Sequence, residues 1–106
     1  MDENSVRDFV SSWLASNAGA LGISQTRLAR AEVPSKKLVA WYESPEYLID
    51  VSAWEHAACL DILAVSKKTK ELAFSACGSC EDTSGLATRL SAFATWLSSG
   101  HNANVA

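Results

Sequence analysis

Between Tyr47 and Val65 the sequence alternates apolar and polar residues twice, with four residues separating the two runs. Tyr47, Ile49, Val51 and Ala53 alternate with Leu48, Asp50, Ser52 and Trp54; Leu60, Ile62 and Ala64 then alternate with Cys59, Asp61, Leu63 and Val65. A period of two predicts strands with two unlike faces. The connection Glu55–Ala58 is too short for a parallel return, so the strands form an antiparallel hairpin. If those four residues are the loop, Trp54 stands opposite Cys59, Ala53 opposite Leu60, Val51 opposite Ile62 and Ile49 opposite Ala64. A slip of one residue would turn the apolar set outward, which fixes the register. The other face then carries Asp50, Ser52, Trp54, Cys59 and Asp61.

The flanking segments complete the architecture. Val6, Phe9, Val10, Trp13 and Leu14 recur at helical spacing and predict a helix over 4–18, capped by Asn4 or Ser5 and stopped by Gly19 and Gly22. Residues 23–33 fit a weak edge strand, whose Arg30 and Glu32 discourage pairing with another chain. A break at Pro34-Ser35-Lys36 precedes a strand over 37–43, and Ser44-Pro45-Glu46 is a tight connection into the hairpin. After the basic turn Ser66–Lys70, Glu71–Ala76 reads as a last strand. Asp82, Thr83 or Ser84 can cap a second helix running to Ser98, with Leu86, Leu90, Phe93 and Leu97 as its core stripe. The expectation is one α+β domain over 1–106: an antiparallel four- to five-stranded meander flanked by an N-terminal and a C-terminal helix, with 100–106 fraying as a tail.

Composition bounds the function. Hydrophobic residues make up 48 % of the 106 and charged residues 20 %, an ordinary globular balance. A net charge of -3 argues against nucleic-acid binding and leaves room for a basic protein partner. The acidic start, Asp2 and Glu3, lacks the basic-then-apolar order of an export signal, and no run approaches the ~18 apolar residues of a membrane span. A cytoplasmic location with three reduced thiols is the corresponding expectation.

Three constellations could carry chemistry. His56-x-x-Cys59 and Cys77-x-x-Cys80 have the paired spacing of a zinc ribbon, and the topology brings both to one end of the meander. A small zinc-binding or adaptor module using His56, Cys59, Cys77 and Cys80 is thus an alternative to a metal-free binder. A redox dithiol at Cys77-Gly-Ser-Cys80 is disfavoured, because the helix starts several residues later, beyond acidic Glu81 and Asp82. Asp50 and Asp61 share a sheet face, but acid–base catalysis needs a desolvated carboxyl in a cleft, and no His or Lys is expected beside them. No catalytic centre follows from these residues.

The first-helix Phe9-x-x-x-Trp13, the strand pair Glu46-Tyr47-Leu48-Ile49-Asp50-Val51-Ser52-Ala53-Trp54-Glu55 and Cys59-Leu60-Asp61-Ile62-Leu63, and the closing helix with Leu86, Leu90, Phe93 and Leu97 together resemble the TriTu group of bacterial immunity proteins. These are small antidotes encoded beside polymorphic or contact-dependent toxins. Two stretches depart from the group: Ala57-Ala58 replaces the usual glycine of the turn, and Cys77-Gly-Ser-Cys80 has no counterpart. The resemblance implies a non-enzymatic function without cofactor, sequestration of a cognate toxin C-terminal domain. It places the partner surface on the polar sheet face, with Trp54, Asp50 and Asp61, and Glu43, Glu46 and Glu55 near its edges. If the first helix lies over that face instead, Trp54 is core.

Overall fold

A computed structural model describes residues 5–100, and the side chains of residues 5–98. The elements are α1 (Val6–Leu21), β1 (Ser24–Ala31), β2 (Lys37–Glu43), β3 (Tyr47–Trp54), β4 (Cys59–Ser66), β5 (Leu72–Ala76) and α2 (Thr83–Thr95), which continues as a wider π-type turn, Trp96–Gly100. The five strands form one sheet in the order β1-β2-β3-β4-β5, antiparallel throughout. This is the expected α+β meander with a helix at each end. Cap Asn4 and the tail from 101 onward lie outside the described residues.

The hairpin register is the one that alternation specifies: Ile49 opposite Ala64, Val51 opposite Ile62, Ala53 opposite Leu60 and Trp54 opposite Cys59. Its apolar side is the floor of the core. Leu38, Ala40 and Tyr42 of β2 extend that floor, and Val10, Leu14, Leu86, Leu90, Phe93 and Leu97 roof it from the helices. Leu60, Ile62, Ala64, Leu86, Leu90 and Phe93 are completely buried. At the β5 end, Phe74 packs its ring 5.6 Å from Phe93 and 5.1 Å from Trp96, and Trp96 lies 4.8 Å from Tyr47. Tilted ring pairs at such spacing add specificity to plain area burial.

The helix ends show which local signals win. Ser5 caps α1 by accepting the Asp8 amide N–H, and α1 runs through Gly19 to Leu21. A mid-helix glycine weakens a helix without stopping it. The stop falls at Gly22, whose φ of 73° lets its amide and that of Ile23 reach back to carbonyls of the last turn. Asp82 caps α2 through the Gly85 amide. A side chain at Gly85 would run into the Cys80 carbonyl, so this turn seats directly on the preceding loop.

The β3–β4 connection tightens through Glu55–Ala58. Ala57 (φ 57°) and Ala58 (φ 48°) both occupy left-handed backbone conformations without being glycine. The loop ahead of α2 braces them: Ser79 Oγ donates to the Ala57 carbonyl, and the Cys80 amide to the Ala58 carbonyl.

Candidate functional site

Both helices lie on one side of the sheet, so the residues of opposite parity form a face that nothing in the described chain covers. Across its middle run Arg27, Trp41, Asp50 and Leu63, each opposite the next on neighbouring strands; the adjacent rows are Ala29, Val39, Ser52, Asp61 and Ala31, Lys37, Trp54, Cys59. At the far end Leu48 faces Val65, which pairs with Leu72 across an irregularity. Leu48 and Leu72 are 51 % and 57 % exposed. Trp41 and Trp54 stand half-buried on this face, with Val39, Leu63 and Val65, also half-buried, among its charged and polar residues.

Each tryptophan on this face carries a cation. The Arg27 guanidinium lies 5.1 Å from the centre of the Trp41 ring, and the Lys37 ammonium 4.9 Å from that of Trp54. Shallow depressions adjoin both. One, of about 460 Å³, is lined by Ser35, Trp54, His56, Cys59 and Asp61; the other, of about 300 Å³, is bordered by Arg27, Trp41 and Leu48. The expectation that no Lys accompanies the carboxylates is therefore corrected: β2 places Lys37 on their face, and His56 borders the depression beside Asp61.

The sequence-nominated residues fall into three groups. Trp54 and Asp50 are half-buried on the open face, and Asp50 accepts a long hydrogen bond from Ser52 Oγ, 3.3 Å. Trp54 is thus not core; α1 lies on the other side. Asp61 shares the face but also accepts the Gly78 amide N–H at 3.0 Å, holding a loop in which glycine has φ 109°. Arg89 of α2 donates to the Gly78 and Leu60 carbonyls and closes the same corner. Glu43 and Glu46 are exposed at the rim, Glu43 paired with Lys67 at 3.3 Å.

Glu55 does not belong with them. Its carboxylate accepts the backbone N–H groups of Val6 and Arg7 at 2.9 and 3.1 Å and the Arg7 Nε at 2.9 Å. It is a second cap on α1, placed there because a helix start leaves amides unpaired and the end of β3 lies against it. Arg7, 7 % exposed, also bonds Glu32 and the Ala31 carbonyl. Burial pushes the Glu55 carboxyl upward, but the Arg7 and Val6 amides and the guanidinium outweigh it and hold it below its ordinary 4.5. Arg7 likewise lowers Glu32, and Arg30, with help from Ser5, lowers Asp8.

The zinc reading is corrected as well. Among the described residues no group of three or more His, Cys, Asp or Glu side chains can hold a metal ion. Cys59 alternates onto the open face opposite Trp54, whereas Cys80 packs against the core; His56 and Cys77 are exposed. Zinc needs its ligands around one point, and these four are not gathered into one such group. Burial, first, and the nearby Cys59 and Asp82 push the Cys80 thiol upward against the pull of Arg89, the reverse of an activated nucleophile.

Arg7, Arg27, Lys37 and Trp41 were not anticipated. Arg7 had a signal: it sits three and seven residues before Val10 and Leu14, on the buried stripe. Lys37, Val39 and Trp41 follow from parity once Leu38, Ala40 and Tyr42 are inside.

Fold and site together define a two-layer α+β protein with one open, aromatic and charged sheet face. Among the described residues no helix is long and apolar enough to cross a membrane. Compared with family models, curated proteins and solved structures, the chain gives no match.

Proposed function

We propose that this chain is an immunity protein, a stoichiometric binder that neutralises a bacterial toxin domain without turnover. The observation that carries this reading is the open sheet face: a wide aromatic and aliphatic surface with carboxylates among it, left bare by both helices. The resemblance in hydrophobic pattern to TriTu-type immunity proteins supplies the toxin as partner. Trp41 and Trp54 are the anchors, since a few large aromatics dominate most protein interfaces. Asp50 and Asp61 on the face, with Glu43 and Glu46 at its rim, favour a basic counterpart and speed its approach. Glu55, bonded to α1, and Cys80, on the core side, are left out of the contact; His56 borders it beside Trp54 and Asp61.

The reading expects a toxin gene beside this one, and the test is co-expression with that toxin's C-terminal domain. Protection of the host and a one-to-one complex are expected. Asp50→Lys and Trp54→Ala should each weaken that complex while leaving the circular-dichroism spectrum unchanged. Absence of both rescue and complex sinks the reading.

A further inference from the structure

Away from the rim pair Glu43–Lys67, the charges of the open face are sorted by strand. Its cations, Arg27 and Lys37, stand on β1 and β2; Asp50 and Asp61 stand on β3 and β4. Between them lie Trp41 of β2 and Trp54 of β3, with Val39 and Ser52 opposite each other at the centre. Such a two-signed surface is complementary to itself. We infer that two copies of this chain associate face to face about a two-fold axis running along the strands between β2 and β3. That operation lays β1 and β2 of one copy over β4 and β3 of the other. Arg27 and Lys37 then meet the half of the partner copy that carries Asp50 and Asp61, twice, as an isologous contact requires. The same operation buries both tryptophans of each copy, and two twisted sheets packed in this way make an ordinary sandwich core.

Geometry limits the strength. Five strands at ~4.8 Å spacing and about seven residues at ~3.3 Å each give a footprint on the order of 500 Å² per copy. Stable interfaces bury about 800 Å² per partner, so the pair is reversible and concentration-dependent, not permanent. The inference stands apart from the toxin reading, because it needs no other protein. If both hold, toxin and second copy compete for one face, and the complex contains a single antidote chain.

Sedimentation velocity on the purified chain over about two decades of concentration tests it, since self-association follows mass action. The expected average mass rises from one chain toward two. Arg27→Glu with Lys37→Glu should abolish the rise by setting like charges against Asp50 and Asp61. Asp50→Lys should weaken it at least several-fold; Asp61 is left intact because it holds Gly78. An equimolar mixture of the two variants should recover a heterodimer that neither forms alone. Circular dichroism of each variant separates a lost contact from a lost fold. Should the cationic pair unfold the chain, Asp50→Lys and Leu48→Glu serve in its place. A wild-type chain that stays monomeric throughout overturns the inference, as does a dimer indifferent to every one of these substitutions.

Discussion

The covered and open faces of this sheet draw on the same strands, yet they are composed by different rules. Beneath the helices, β3 and β4 present Ile49, Val51, Ala53, Leu60, Ile62 and Ala64, all buried and all apolar. On the other side the same two strands present Asp50, Ser52, Trp54, Cys59, Asp61 and Leu63, every one only partly buried. One face answers to the rest of its own chain and is held to close packing. The other keeps two half-buried tryptophans, each with a cation near its ring, and two carboxylates, Asp50 with a long bond from Ser52 and Asp61 tied to the Gly78 amide. The difference separates residues that are enclosed by the rest of the chain from residues that keep part of their surface in solvent.

The comparison can be broken at its inner side first. Phe93→Ala should cost about 3–5 kcal/mol, measured as a fall in the urea midpoint, because a fully buried ring leaves a cavity that the helix cannot close. A loss much below this would mean that the roof is loosely packed. At the seam between the layers, Glu55→Gln should cost about 1–2 kcal/mol through the weakened cap on α1. It should also alter the acid response. Glu55, Glu32 and Asp8 are held below their ordinary values in the folded chain, so the stability they confer is complete above those values. It is lost as pH falls from about 4.5 through the folded values. Wild-type stability should therefore decline with acid in that window, and Glu55→Gln should decline less steeply.

On the open side, Trp41→Ala and Trp54→Ala should each change stability by less than about 1 kcal/mol, the range of surface sites with modest contacts. If either unfolds the protein as Phe93→Ala does, the two faces are not distinct in kind. The smallest effect belongs to the hairpin loop. Ala57→Gly should raise the melting free energy by roughly 0.5 kcal/mol, because relief of the left-handed backbone exceeds the added freedom of the unfolded chain.

Much of this arrangement was legible in the residues. The β3–β4 register followed from alternation, since every Ile, Val and Ala on one side finds an apolar partner at one offset only. The α2 stripe was equally plain. What escaped was set by geometry between elements. Glu55 reads as a surface carboxylate until α1 is seen to begin against the end of β3. Arg27 is exposed in a strand with no alternation of burial, and its place over Trp41 depends on a register shift near Thr26. The zinc spacing misled because ligand-like intervals in sequence do not say whether a loop, a strand and a second loop bring four side chains to one point. Gly19 misled because a glycine breaks a helix only where the backbone must turn left-handed.

The bond between Asp61 and the Gly78 amide bears on how such a surface can change over generations. Asp50 and Trp54 can be exchanged for other residues at small cost to the fold, since little inside the molecule leans on them. Asp61 is wired to the loop that seats the last helix, so a new residue there would be felt in the fold. Substitution on this face is therefore freer around Asp61 than at it.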